Sequence, residues 1–310
     1  SDVMNGSLNL EEAIDVLKSQ NLEIKAASLQ IEAAKADENS VQGMNWGKLD
    51  FTQDFSRSND AGNVFGFKLT SREASFGAFG FSEFDATNPN ILNVQPQDLN
   101  YPDARNFFQS KLKYEMPLFT GFAISSYSDI MNKMTQMKTL EKDQVVNEKI
   151  YQLRKSYYEM ALLEESITHL RTILNNVNIL EDATQNMIEV GYAKKVDLLE
   201  VKAKKGNINR LLIELNSNKK LLYHYLSFLL NQKITSVTTP VSDIAAPSIS
   251  DEEILKNNVD VQKASTGLMI KNDMLKVSQA AYYPTVGAFA ELATADNSFL
   301  GNATEHKGYT

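Results

Sequence analysis

The chain has 310 residues, 43% of them apolar and 23% charged, enough to bury a sizeable core, and no run approaches the roughly 18 apolar residues that a membrane-crossing helix needs. Its 31 basic and 39 acidic residues give a net charge of -8 without a basic stripe, which sets nucleic acid aside as a partner. The absence of cysteine excludes disulfides, thiolate metal sites and a catalytic thiol within these residues, and a lipid-modified N-terminal cysteine is not expected.

Residues 8 to 45 read as a helix about 54 Å long: Leu10, Ile14 and Leu17 recur at helical spacing, and Ile24, Ala27, Ile31 and Ala34 continue the apolar stripe. No basic region followed by an apolar segment precedes it, so any export signal is expected to have been removed or to lie outside this sequence. Gly43 and Gly47 bracket the end of the helix. From Trp46 to Thr120 the composition shifts to Phe, Gly, Ser, Asn and Asp, and Pro89, Pro96, Pro102 and Pro117 punctuate it; alternation replaces the helical period, predicting strands with a long loop.

Residues 122 to 230 return to helix, with an apolar stripe through Ile150, Leu153, Tyr157, Met160, Ala161, Ile167, Leu170, Leu174, Val177 and Ile179 near heptad spacing. Gly191 splits the stretch into a helix of about 100 Å and a return helix of about 58 Å, which covers only half of its partner. The N-terminal helix has the right length to cover the other half. Residues 231 to 249, with Thr235, Pro240 and Pro247, read as a connector.

After the connector the beginning of the chain repeats. Asn21-Leu22-Glu23-Ile24-Lys25-Ala26 matches Asn258-Val259-Asp260-Val261-Gln262-Lys263 at an offset of 237 (258 less 21), which also carries Leu17 onto Ile254, Ile31 onto Leu268, Trp46 onto Tyr283 and Leu49 onto Val286. Residues 250 to 281 are therefore expected to form the helix of a second repeat, and 282 to 310 to open its β segment. So long a period suggests one ancestral half duplicated within a subunit rather than a solenoid. The second copy stops early, so a second hairpin of strands and a second pair of long helices are expected to be missing.

In the first β segment Phe108, Ser110, Leu112, Tyr114, Met116 and Leu118 occupy one parity and Gln109, Lys111, Lys113 and Glu115 the other. Such a strand lies either between lipid and water or between a soluble core and solvent. Trp46, Tyr282 and Tyr283 stand where helix gives way to strand in each repeat, and that position favours an aromatic belt at a membrane interface, with Leu112, Tyr114 and Met116 facing lipid.

Ser58-Asn59-Asp60, Val64-Phe65-Gly66-Phe67-Lys68-Leu69, Leu99-Asn100-Tyr101-Pro102 and Met116-Pro117-Leu118-Phe119-Thr120-Gly121 resemble the first strand pair of the TolC-type outer-membrane efflux protein family. Val190-Gly191-Tyr192, with Asp197, Leu198 and Leu199 after it, resembles the family's periplasmic helix turn, and Leu229-Leu230-Asn231 the end of its return helix. The resemblance implies a mainly α fold with a membrane β segment: a homotrimer in which each subunit gives four strands to a twelve-stranded barrel in the outer membrane and long helices to a periplasmic α-helical barrel. It also implies docking of a periplasmic adaptor and an inner-membrane pump at the tip formed by Val190, Gly191 and Tyr192. Asp197 corresponds to an aspartate that helps hold the family's tunnel end shut; the residues alone equally fit a first-turn carboxylate favouring the helix dipole.

Other features lead elsewhere less readily. His169, His224 and His306 lack metal-ligand spacing. Met131, Met134 and Met137 form a stripe that suits packing better than soft-metal export, and Phe65, Phe67, Phe76, Phe79 and Phe81 could stack on bases were the chain not acidic. No nucleophile-base pair or phosphate-cradling loop is visible, so no cofactor or catalysis is expected. The expectation is an exit duct for efflux or type I secretion, passing drugs, metal ions or proteins; the alternative is a periplasmic adaptor, which also carries a long helical hairpin.

Overall fold

The computed structural model describes residues 7–240, 246–301 and 307–309. The chain divides into two compact units, one comprising Ser1–Ala36 with Asn132–Ile270 and the other Asp37–Met131 with Lys271–Thr310. His306 and residues 241–245 of the expected connector lie outside the described residues.

The first unit is helical. Its elements are α1 (Leu10–Gln20), most of α2 (Leu22–Gly43), the greater part of α5 (Ala123–Glu189), α6 (Lys195–Leu230), α7 (Asp251–Asn257) and the first half of α8 (Val259–Gln279); α3 (Ala61–Thr70) and α4 (Gln97–Asn100) belong to the other unit. Each of the two expected single helices, 8–45 and 250–281, is interrupted once, at Asn21 and Asn258. The cause is the same at both sites. The Asn21 side-chain oxygen accepts from the backbone N–H groups of Glu23 and Ile24 at 3.0 and 3.1 Å, and that of Asn258 from Asp260 and Val261 at 2.9 and 3.1 Å. Each asparagine thereby starts a fresh helix.

The core forms where α1, the middle of α5 and the C-terminal end of α6 meet: Ala13, Ile14 and Leu17 pack with Leu153, Tyr157, Met160, Leu226, Leu229 and Leu230. The connector joins it through Ile234 and Val237, and Leu8 bridges to Val237. Tyr157 is fully buried, its hydroxyl donates to the Leu8 carbonyl at 3.0 Å, and burial raises its pKa well above the usual phenol value.

The expected α5 stripe is corrected towards the hairpin turn. Leu153, Tyr157, Met160 and Ile167 are buried, but Ile179 is 60% exposed. The next heptad positions after Leu174 and Val177 are polar: Glu181 pairs with Lys205 of α6 at 2.7 Å, and buried Thr184 donates its hydroxyl to the Leu180 carbonyl.

The second unit is built on an antiparallel sheet in the order β1-β2-β3-β4, with β1 (Lys48–Ser58), β2 (Arg105–Phe119), β3 (Val286–Asp296) and β4 (Lys307–Tyr309). β2 pairs with β1 on one side and with β3 on the other. The second hairpin, expected to be missing, is present in part: β3 is complete and β4 pairs with it at Leu292, Ala293 and Thr294. The loop between β1 and β2 departs from expectation. Residues 61–70, which include the Val64–Leu69 segment compared with a strand pair, form a helix, α3 (Ala61–Thr70), and the short helix α4 (Gln97–Asn100) follows. Asp60 starts α3 by accepting from the Asn63 N–H at 3.0 Å.

Candidate functional site: a two-faced sheet and a helical turn

Successive residues of a strand point to opposite faces, and the register sorts this sheet into two chemically different sides. Leu49, Phe51 and Phe55 of β1 stand opposite Tyr114, Leu112 and Phe108 of β2, and Leu112 and Tyr114 stand opposite Leu292 and Ala290 of β3. Met116, opposite Ala288, extends the same face. This apolar face is open: Phe51 is 64% exposed and Leu292 59%. One polar row crosses it, Gln53, Ser110 and Thr294, in which the Ser110 hydroxyl donates to Gln53.

The opposite face is charged. Lys113 stands between Asp50 and Glu291 on the flanking strands, bonds Glu115 on its own, and lies 5.6 Å from the centre of the Phe289 ring. Lys48 pairs with Asp50 at 2.9 Å. Cross-strand pairs of opposite charge suit a wet surface.

Where helix turns into strand, aromatic rings gather. Trp46 is 79% exposed and its carbonyl accepts the Tyr114 hydroxyl; Tyr282 is 89% exposed. Tyr283 meets Phe122 edge-on at 5.6 Å between ring centres, and Phe122 meets Phe119 at 5.3 Å. Phe119 and Phe122 are members of this cluster that strand alternation alone does not single out. Two glycines allow the close approach. A Cβ on Gly47 (φ +76) would lie 2.0 Å from the Glu115 carbonyl oxygen, and one on Gly121 (φ +62) 2.7 Å from that of Ala280. A cavity of about 560 Å³ beside them is lined by Met44, Lys48, Met116, Pro117, Phe119 and Phe289, among others.

The helical turn belongs to the other unit. Gly191 adopts φ +85; its N–H donates to the Ile188 carbonyl and that of Tyr192 to Met187, a pair of bonds that closes a helix with a left-handed residue. Asp197 accepts from the Lys194 N–H at 2.7 Å, so its carboxylate caps α6. Val190 and Tyr192 are exposed, as are Met187, Val196 and Leu199 nearby. The turn is thus polar in backbone chemistry and apolar on its surface.

The remaining sequence candidates fall apart in space. His169 is exposed beside Glu165, and His224 is exposed on α6. Among the described residues no three His, Asp or Glu side chains are grouped to hold a metal. Met134 is exposed while Met131 and Met137 are half-buried. Phe65 and Phe79 pack on each other, as do Phe76 and Phe81.

No protein-family model and no curated protein sequence matches this chain. Solved structures do. CusC, described in connection with folding and transmembrane channel formation, aligns over 97% of this chain and 64% of its own at 13% identity with a TM-score of 0.74. The CmeC outer membrane channel of Campylobacter jejuni aligns over 97% and 59% at 14% identity and 0.74. The outer membrane protein VceC of Vibrio cholerae aligns over 97% and 67% at 12% identity and 0.71. The fold is therefore the one these outer-membrane channels share, and the chain spans roughly three fifths to two thirds of their length.

Proposed function

We propose that this chain is a large part of a TolC-type outer-membrane efflux protein, a duct that carries cargo across the periplasm and outer membrane and catalyses no reaction. The observation that carries the reading is the sheet, with one open apolar face, one charged face and two outer edges. Unpaired edges have no tolerable place in hydrocarbon. The β1 and β4 edges would then meet strands of sister subunits, and a homotrimer would close a twelve-stranded barrel.

Dimensions agree. From Phe108 to Leu118 the apolar parity of β2 covers about 33 Å of strand, and at a barrel tilt of about 40° this rises about 25 Å, the apolar height of outer-membrane barrels. Leu112, Tyr114 and Met116 face lipid in this reading, and Trp46, Tyr282 and Tyr283 form the interfacial belt. The charged face lines the pore. Val190, Gly191, Tyr192 and Asp197 mark the periplasmic tip where an adaptor and an inner-membrane pump engage. Residues 46–121 and 282–310 are barrel segments, 1–45, 122–230 and 250–281 periplasmic helices, and 231–249 an equatorial connector.

The paired caps at Asn21 and Asn258 support an internal duplication. Shifted by 237, the start of α2 falls on the start of α8, and β1 falls within one residue of β3. Drugs, metal ions and secreted proteins are the cargo classes this architecture serves. A periplasmic adaptor would flank the hairpin with compact β domains, whereas here the strands on its two sides pair in one open sheet.

The test is electrical. The complete protein reconstituted in a planar bilayer is expected to give stepwise conductance and to need detergent in solution. A detergent-independent protein that gives no conductance under any gating condition would refute the reading.

A further inference from the structure

The segment between β1 and β2 does not extend freely beyond the strands. It is fastened to one face of the sheet, and the strand register identifies which. Phe107 has the parity of Lys111, Lys113 and Glu115, so it stands on the charged face. Phe67 of α3 stacks flat on it, ring centres 4.4 Å apart and planes within 9°. Phe107 is buried at that stack, and Val64 in the preceding turn of α3 is buried with it.

A second fastening uses the same face. Arg105, of the same parity as Phe107, forms an ion pair with Glu73 just beyond α3. Further along, the Glu83 carboxylate accepts the backbone N–H groups of Gln97 and Asp98 at 2.8 and 2.9 Å, and Phe65 meets Phe79 edge-on at 5.0 Å. Residues 61 to 100 are thus tied into one folded element by contacts of their own. Both anchors to the strands, Phe107 and Arg105, lie at the loop end of β2 and on its charged side.

We propose that α3 is a size filter at the outer exit of the pore: it lies across the charged face of the sheet and narrows the mouth through which cargo leaves. The inference rests on the barrel reading above, in which the charged face lines the pore. Three copies of one inward-lying helix obstruct the opening more than strands and turns alone would. Clamping by one aromatic stack and one ion pair keeps the obstruction displaceable, as an exit must be.

These 310 residues contain no cysteine, and any cysteine elsewhere in the full-length protein is first replaced by serine, which makes the test direct. Lys113→Cys places a thiol on the charged face, and Leu112→Cys places one on the apolar face as control. Each is introduced into the full-length protein in intact cells and exposed from outside to a small charged methanethiosulfonate or to a maleimide on a polyethylene glycol chain. With α3 intact, Lys113→Cys is expected to react with the small reagent and only slowly with the large one. Adding Phe67→Ala removes the stack and should speed the large reagent by about five- to tenfold without changing the small one. Phe67→Leu, which keeps apolar contact but not stacking, should fall between, and heat-resistant assembly of each variant shows that the barrel has formed.

Large-reagent rates at Lys113→Cys that are already fast with α3 intact, or that Phe67→Ala leaves unchanged, overturn the filter while the pore stands. If Lys113→Cys reacts with the small reagent no faster than Leu112→Cys, the barrel reading fails and the filter falls with it.

Discussion

Asn21 and Asn258 occupy equivalent places, yet the structure gives them unequal work. Each caps a helix, and replacing a capping asparagine by alanine costs about 1 kcal/mol. Asn21 does more: it is buried, and its side-chain amide donates to the Leu229 carbonyl at 2.8 Å. That carbonyl lies at the C-terminal end of α6, where the helix itself supplies no N–H. Leaving a buried acceptor unpaired costs about 1–3 kcal/mol, so Asn21→Ala should lose about 3 kcal/mol locally and Asn258→Ala about 1. The 2 kcal/mol difference is roughly thirtyfold in an opening constant. Deuterium uptake by the full-length protein in detergent measures it: peptides over 22–26 and 229–238 should exchange much faster after Asn21→Ala, and those over 259–263 only modestly faster after Asn258→Ala. Equal acceleration at the two sites would refute the claim that the Leu229 bond sets them apart.

Glycine substitutions should separate two kinds of requirement. Gly191→Ala meets nothing within 4 Å and pays only for its positive φ, about 1–2 kcal/mol, whereas Gly47→Ala drives a Cβ into the Glu115 carbonyl and should disrupt the pairing of β1 with β2, read as loss of slowly exchanging amides over 48–58. On the barrel proposed above, Leu112→Arg should cost about 2–4 kcal/mol of stability in lipid and Lys113→Leu much less, measured by denaturant titration of protein folded into vesicles. In the helical hairpin, Lys205 bonded to Glu181 holds that carboxyl below its ordinary range. A lowered folded-state pKa gives stability that is present above the ordinary glutamate pKa and lost as pH falls through the folded value. Glu181→Gln should therefore flatten the fall in hairpin protection below about pH 4.5; an unchanged acid profile would sink the assignment.

Much of the architecture is legible in residue spacing because it rests on periodicity. The alternation from Phe108 to Leu118 gives both faces of β2, the break at Gly191 gives the hairpin, and the offset of 237 gives the parallel between α2–β1 and α8–β3. The helix interruptions escape periodicity for a physical reason: Leu17 and Ile24 stay seven residues apart across Asn21 and remain on one buried face, so the stripe runs on while the hydrogen-bond ladder restarts. Asn followed two residues later by an acidic residue, Asn21 with Glu23 and Asn258 with Asp260, is the signal that marks the restart. α3 escapes for the opposite reason. Its phenylalanines and glycines carry strand-like composition, but Val64 and Phe67 are three apart on the packed side, and Asp60 is a cap. Trp46, Tyr282 and Tyr283 stand out in the sequence at the helix-to-strand boundaries, whereas Phe119 and Phe122 come beside Tyr283 only through the left-handed turn at Gly121 and Phe122, which no residue period encodes.

The helical hairpin has an uneven distribution of stability, and the unevenness follows from which residues take its seam. At its root Leu153, Tyr157 and Met160 close on Leu226, Leu229 and Leu230, all with no exposed surface. Towards Gly191 the seam passes to Glu181, Lys205 and Thr184, an ion pair and a hydroxyl bonded to its own helix, while Ile179 and Leu180 turn outward. Local opening is easiest where buried apolar contacts are few and polar ones face water. The root therefore holds as a rigid joint, and the turn is the part that yields at small cost. Exposed Val190, Tyr192, Val196 and Leu199 add apolar surface at that yielding end, where a partner's cover would repay the ordering of both helices. The order of burial along the hairpin, apolar at the root and polar towards Gly191, therefore sets the order in which it opens.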